Sequence, residues 1–281
     1  MHYLSGMCSD IGISRSINQD AALVRKAVIG KESVLFAVVC DGMGGLEKGE
    51  LASATVITGM SEWFEKVFPG LFYASHKNIY HISERVEYLP AYSKTTAMEK
   101  DTMGKMIRDS WNYVISKLNQ KIYIYGTQHG IQLGTTLTAL LVMENTYYIC
   151  NVGDSRIYYL NHEIRQITKD QTLVQQKVDQ GEITEQEARY SDQRNVLLQC
   201  IGACNQVIPD YDFGKCKKES AFLLCSDGFR HEIDQGEMWQ MLRPDHLQKE
   251  SDMEHKLEIL ASLAKDRGEK DNITAVLVYM I

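Results

Sequence analysis

Residues 136–167 read TLTALLVMENTYYICNVGDSRIYYLNHEIRQI. Three runs in this stretch, Thr136–Met143, Tyr147–Val152 and Arg156–Leu160, are rich in the β-branched, aromatic and aliphatic residues that suit strands. Glu144-Asn145 separates the first two at hairpin spacing, and Asn161-His162 follows the third in the same way. Parallel strands need a crossover of a dozen or more residues, and no room for one exists here. The stretch Thr136–Ile167 therefore predicts an antiparallel meander.

Working outward, further strand-type runs occur at Ser33–Cys40, Ala221–Cys225 and Ile273–Met280. Helical periods lie between them. Val56, Met60, Trp63, Phe64 and Val67 fall three or four apart, as do Met106, Ile107, Trp111, Val114, Ile115 and Leu118. Met253, Leu257, Leu260, Ala261 and Ala264 form a third stripe. Each stripe reads as core packing. Strand groups alternating with helix groups define an α+β class. Two segments break the pattern. Pro69 to Met103 has no clean period and reads as an insertion, with His76 and His81 on its surface. Gln171 to Arg194 is polar and reads as an excursion from the meander.

The bulk properties narrow the functional classes. The chain has 281 residues, 44% of them hydrophobic, with a net charge of −7. That charge argues against non-specific nucleic-acid binding, which needs a basic surface. The seven cysteines are scattered and include no Cys-x-x-Cys pair. A zinc site of ordinary spacing is not expected, and a reducing compartment is. No signal-peptide pattern opens the chain, and no apolar run reaches the roughly 20 residues of a membrane span. These features predict a cytoplasmic protein without a membrane partner; a monomer is the default expectation.

Three apolar runs end in a carboxylate: Val38-Val39-Cys40-Asp41-Gly42, Ile149-Cys150-Asn151-Val152-Gly153-Asp154 and Leu223-Leu224-Cys225-Ser226-Asp227-Gly228. A fourth, Asp271, opens the last strand in Asp271-Asn272-Ile273-Thr274. Aspartate is a poor strand residue. One Asp-Gly pair is ordinary turn chemistry, but three that all end apolar strands point to a common rim. Carboxylates gathered there repel one another unless cations compensate. All-oxygen ligands favour Mg²⁺ or Mn²⁺ over Zn²⁺, and a pair of such ions suits attack on a phosphoryl group. Arg15, ahead of Asn18-Gln19-Asp20, is the candidate to grip phosphate oxygens in two-pronged fashion.

An ordered series of motifs runs through nearly the whole chain. It comprises Gly12…Arg15-x-x-Asn18-x-Asp20, Asp41-Gly42-Met43-Gly44-Gly45, Gly134-Thr135-Thr136 and Gly153-Asp154-Ser155-Arg156. It continues with Thr168-x-Asp170, Arg194-Asn195-Val196-Leu197, Ile201-Gly202, Cys225-Ser226-Asp227-Gly228 and Asp271-Asn272-Ile273-Thr274. In this order the chain resembles the metal-dependent protein phosphatases of type 2C, in their compact bacterial form. The resemblance implies one catalytic domain over 1–281, built as a four-layer α-β-β-α sandwich with two central antiparallel sheets. It also implies a mobile flap at about 171–194. It implies that Asp41 bridges two Mn²⁺ or Mg²⁺ ions, with the Gly42 carbonyl on one of them. Asp227 and Asp271 complete the first ion's carboxylates, Asp154 joins Asp227 at a third, weaker ion, and Asp20 supports the metal waters. Arg15, Asp41 and Asp227 carry catalysis. The reaction implied is hydrolysis of phosphoserine and phosphothreonine in proteins, targets of a serine/threonine kinase, by activated water without a phosphoenzyme.

Two positions depart from the family pattern. Gln19 stands where a glutamate is usual, which predicts a weaker second ion. Met43 stands where animal members carry a histidine. Gln19 also motivates the alternative of a pseudophosphatase that binds phosphoproteins or partners. A second rival reads Cys150-x-x-Gly153-x-x-Arg156 as the loop of a cysteine-based phosphatase. That loop needs a following helix to lower the thiol pKa, and Ile157-Tyr158-Tyr159-Leu160 reads as strand.

Overall fold

The computed structural model describes residues 1–43, 48–77 and 102–281, with side chains of 76 and 77 excepted. The strands are β1 (Tyr3–Asp10), β2 (Ala21–Ile29), β3 (Glu32–Cys40), β4 (Gly42–Met43), β5 (Gly134–Thr135), β6 (Leu137–Met143), β7 (Thr146–Val152), β8 (Arg156–Leu160), β9 (Ile164–Gln166), β10 (Asp210–Lys215), β11 (Ser220–Cys225) and β12 (Ile273–Met280). The helices are α1 (Gly49–Glu62), α2 (Phe68–Lys77), α3 (Thr102–His129), α4 (Leu173–Asp179), α5 (Glu185–Tyr190), α6 (Asp227–Arg230), α7 (Gln235–Leu242) and α8 (Glu250–Asp266). Two antiparallel five-stranded sheets form the centre, in the orders β1-β12-β11-β8-β9 and β10-β7-β6-β3-β2.

The layering follows from period-two side-chain alternation in strands buried on both faces. In β3, Val34, Phe36, Val38 and Cys40 pack outward beneath α1–α3. Leu35, Ala37 and Val39 pack inward, against Phe222, Leu224, Val276 and Val278 of the facing sheet. The other sheet turns Leu223, Cys225, Ala275 and Leu277 toward α6–α8. The result is α-β-β-α. All three helical stripes read from the sequence lie against these layers. Trp63 and Trp111 meet at 5.3 Å between ring centres, and Trp63 Nε1 donates to Ser110 Oγ at 3.0 Å.

The expected meander divides between the sheets. The β6–β7 hairpin belongs to one and the β8–β9 hairpin to the other. The chain crosses at Gly153-Asp154-Ser155, where Gly153 has φ of +103°. A Cβ there would stand 2.6 Å from Thr136 Cγ2, so only glycine allows the crossing. The segment expected to be irregular from Pro69 begins instead as helix α2, directly after a π turn at Trp63–Val67. A proline inside a helix clashes with the carbonyl four residues back, and the wider π turn gives that carbonyl room. Residues 78–101, most of the proposed insertion and His81 with it, lie outside the described residues, as does the side chain of His76.

Candidate active site

The topology brings the five aspartates to one end of the sandwich. β3 and β7 both pair antiparallel with β6, so they run the same way and release Asp41 and Asp154 at the same end. β11 and β12 are antiparallel, with Cys225 opposite Ala275. The end of one and the start of the other therefore set Asp227 and Asp271 side by side. Asp20 enters β2, whose Ala21 pairs with Cys40 at the end of β3.

Hydroxyl groups lock this mouth. Thr136 Oγ1 accepts the Asp41 N–H at 2.8 Å, and Thr136 N–H donates to the Asp41 carbonyl at 2.9 Å. Thr135 Oγ1 donates to the same carbonyl at 2.9 Å. Ser226 Oγ donates to Asp20 Oδ2 at 2.9 Å. Asn272 reaches across, donating to the Ile11 and Ile17 carbonyls at 2.9 and 3.2 Å and accepting the Gln19 N–H at 2.8 Å. That pins the loop carrying Arg15. Gly12 in this loop has φ of +78°, and a Cβ on it would lie 2.1 Å from the Asp271 carbonyl. Gly42 is equally confined: a Cβ would meet the Gln19 carbonyl at 2.3 Å.

The electrostatics are those of crowded anions. Burial and then the charges of Asp20, Asp227, Asp154 and Asp271 push the Asp41 carboxyl well above its ordinary range. Burial, with Asp227 and Asp271 adding, pushes Asp20 up to about 7 against hydrogen bonds from Thr274 and Ser226. Burial and Asp227 push Asp154 up to about 7, against the pull of Arg230. Asp154 is buried, whereas Asp20 and Asp41 are half-buried and open onto the mouth.

Two cationic side chains lean into the cluster. Arg15 donates from Nε to Asp271 Oδ1 at 2.9 Å and from Nη2 to Asp271 Oδ2 at 2.7 Å. Arg230 places Nη2 at 3.1 Å from the Asp154 carbonyl, 3.6 Å from Asp154 Oδ2 and 3.4 Å from Asp170 Oδ2. Asp170 in turn takes both prongs of Arg156, at 2.8 and 2.7 Å. Gln171 fastens the base of the 171–194 segment to the Gly153 backbone in both directions, each at 2.9 Å. Within that segment the chain forms α4 and α5, each capped by a threonine, Thr172 and Thr184.

The donor set suits hard cations. Asp227 Oδ1 is buried without a hydrogen-bond partner, a costly condition for a charged oxygen. Its neighbours in the mouth include the carboxylates of Asp20, Asp41 and Asp154, all oxygen donors. Among the described residues, no three acidic, histidine or cysteine side chains are yet drawn into one closed coordination set. Arg15 holds a face of Asp271 instead. The Gln19 amide, turned with nitrogen toward the Gly42 carbonyl at 3.3 Å and oxygen toward Gly49 N–H at 3.2 Å, fits beside these donors. A cavity of about 420 Å³ lined by Asn112, Asn119, Gln120 and Asn205 lies elsewhere; none of the five aspartates lines it.

The cysteine-phosphatase alternative fails on this geometry. Cys150 is fully buried within β7, burial raises its thiol pKa, and Arg156 begins strand β8 with its guanidinium committed to Asp170. The sequence reading named no role for Ser226, Arg230, His231, Glu269 or Asn272. The first and last stood inside quoted motifs. The other three form contacts between segments distant in sequence and gave no local signal.

An α-β-β-α sandwich with an acidic mouth at one end of its two sheets defines a class of metal-using hydrolases. The family model for protein phosphatase 2C matches residues 13–277. The chain is 28% identical over 275 residues to a serine/threonine phosphatase of Listeria monocytogenes, covering 96% of this chain and 93% of that protein. It is 26% identical over 277 residues to the protein phosphatase PhpP of Streptococcus pneumoniae, covering 98% and 96%. The solved serine/threonine phosphatase of S. agalactiae superposes with a TM-score of 0.76 at 28% identity, over all of both chains. The chain belongs to the protein phosphatase 2C family and is a metal-dependent protein phosphatase.

Proposed function

We propose that this chain hydrolyses phosphoserine and phosphothreonine in cytoplasmic phosphoproteins with Mn²⁺ or Mg²⁺, acting as a monomer. The observation that carries the reading is the set of mutually repelling carboxylates Asp20, Asp41, Asp154 and Asp227 at one mouth, with Asp227 Oδ1 left unpaired. Asp41, the Gly42 carbonyl, Asp227 and Asp271 would hold two core ions. Asp154 with Asp227 would hold a third, weaker one, in competition with Arg230. Asp20 would support the ions' waters. When bound, such cations neutralise phosphoryl charge and activate water.

The chain's own groups do the rest. Thr135 and Thr136 fix the Asp41 backbone so that its carboxylate does not swing away. Arg15 is half-exposed at the entrance, with a planar fork matched to two equatorial phosphate oxygens, and it exchanges Asp271 for phosphate. Met43 carries no proton for the leaving seryl or threonyl oxygen. The 171–194 segment, tied through Gln171 to Gly153, borders the mouth where a protein substrate would lie. Seven unpaired cysteines support a reducing compartment. Among the described residues, no helix is long and apolar enough to cross a membrane.

The test is phosphate release from phosphoserine, phosphothreonine and phosphotyrosine peptides, with Mn²⁺ and with EDTA. The expected result is Mn²⁺-dependent release from the first two. Retained phosphopeptide binding without turnover at any Mn²⁺ concentration would instead favour the binding-module alternative that Gln19 motivates.

A further inference from the structure

His231 follows α6 directly, one helical turn after Asp227, and donates its backbone N–H to the Asp227 carbonyl at 3.0 Å. Its ring stands between two carboxylates. Nε2 lies 3.5 Å from Asp227 Oδ2, and Nδ1 lies 3.3 Å from Glu269 Oε2. Glu269 is 7% exposed. Its second oxygen accepts the N–H groups of Lys270 and Asp271, at 2.7 and 2.9 Å. One buried glutamate thus holds the backbone of Asp271 and, through one imidazole, the side chain of Asp227.

We infer that Glu269 and His231 form a brace that sets Asp227 and Asp271 in place for the cation, making both of them positioning residues for metal binding. The inference rests on the metal ligands named under the proposed function. Its physical basis is cost. A buried charge is expensive unless it is paired, and this mouth already gathers five aspartates. A sixth acid beside them is tolerable only if its contacts hold it there. The His231 contact and the two backbone N–H groups supply those contacts. Asp227 and Asp271 come from different chain segments and repel each other, so something must fix their spacing before an ion arrives. Groups that orient metal ligands in this way typically change affinity by about 10–100-fold when removed. The plainer alternative is that Glu269 only caps the turn between α8 and β12.

Calorimetric Mn²⁺ titration and the Mn²⁺ electron paramagnetic resonance signal separate the two. The proteins compared are the parent, His231→Gln and Glu269→Gln, each with its metal-free melting temperature. Glutamine at 269 keeps an acceptor for the backbone N–H groups, so a mere turn cap tolerates it. The brace predicts that both variants fold and that Mn²⁺ binds about 10–100-fold more weakly in each. It also predicts that the double variant is little worse than either alone. If Glu269→Gln does not fold, His231→Gln carries the test, since that side chain is partly exposed and leaves the turn untouched. Parental Mn²⁺ affinity in folded His231→Gln overturns the brace and leaves the phosphatase reading standing. A parent that binds no Mn²⁺ at all overturns both.

Discussion

Arg15 and Asp271 form a two-pronged ion pair, with 2.9 and 2.7 Å contacts, at the entrance to the acidic mouth. Each partner has a second proposed duty: Arg15 toward phosphate, Asp271 toward a cation. The Arg15 side chain is 51% exposed and that of Asp271 30%, so the pair itself adds little stability. Arg15→Ala is therefore expected to leave the melting temperature nearly unchanged. It should leave Mn²⁺ affinity equal or slightly tighter, and lower kcat/KM on phosphopeptides by roughly 10²-fold. Steady-state kinetics beside Mn²⁺ calorimetry checks this. A matching loss of metal affinity would show that the arginine serves the metal site instead.

Gln19 supplies a neutral amide beside the Gly42 carbonyl and Gly49 N–H. A carboxylate there would add charge for the second ion. Gln19→Glu is expected to lower the Mn²⁺ concentration needed for half-maximal activity, by roughly tenfold if about 1.4 kcal/mol of binding is gained. An unchanged Mn²⁺ requirement would count against the proposed weakness of that ion.

The raised aspartates give the metal-free protein a distinctive pH response. Burial and the neighbouring carboxylates push Asp20 and Asp154 up to about 7 in the folded chain and raise Asp41 well above its ordinary range. Unfolded aspartates titrate near 4. Between those values the folded state binds more protons than the unfolded one, so stability falls as pH rises. The melting temperature in EDTA should be highest near pH 5 and should fall toward pH 8. Added Mn²⁺ should restore it at pH 8 by binding the ionised form. A metal-free melting temperature that rises over this range would contradict the account.

Arg230 is buried between Asp154 and Asp170. Removing it leaves buried negative charge without its partner, at a cost of about 3 kcal/mol. Arg230→Leu should lower the metal-free melting temperature, and Mn²⁺ should recover part of the loss as an ion takes over from the guanidinium at Asp154. Denaturant unfolding with and without Mn²⁺ reads both effects. Destabilisation that Mn²⁺ does not relieve would separate Asp154 from any ion site.

Where a strand is buried on both faces, its sequence announced it. Arg156–Leu160 and Ile273–Met280 appear with the expected bounds, and β3, β6, β7 and β11 differ by a residue at one end. The edge strands did not announce themselves. β1, β2 and β10 are half-covered and carry polar residues such as Ser5, Arg25, Lys26 and Asp212, so neither a long apolar run nor a clean alternation marks them. The division of the meander was hidden for another reason: hairpin spacing fixes which strands pair, but not which sheet receives the next pair. That choice lies in Gly153, whose positive φ is a backbone property. The aspartates were legible because polar residues ending apolar runs are conspicuous. Arg230, His231 and Glu269 were not, because their meaning lies in contacts that only the folded chain creates.

The most direct test is Mn²⁺-dependent phosphate release from a phosphothreonine peptide, measured together with Mn²⁺ calorimetry on the parent and on Asp227→Asn. The prediction is turnover by the parent that EDTA abolishes, with both tight Mn²⁺ binding and turnover lost in the variant while its fold is kept. Undiminished turnover by Asp227→Asn, or parental turnover in EDTA, would contradict a reaction driven by cations at this mouth.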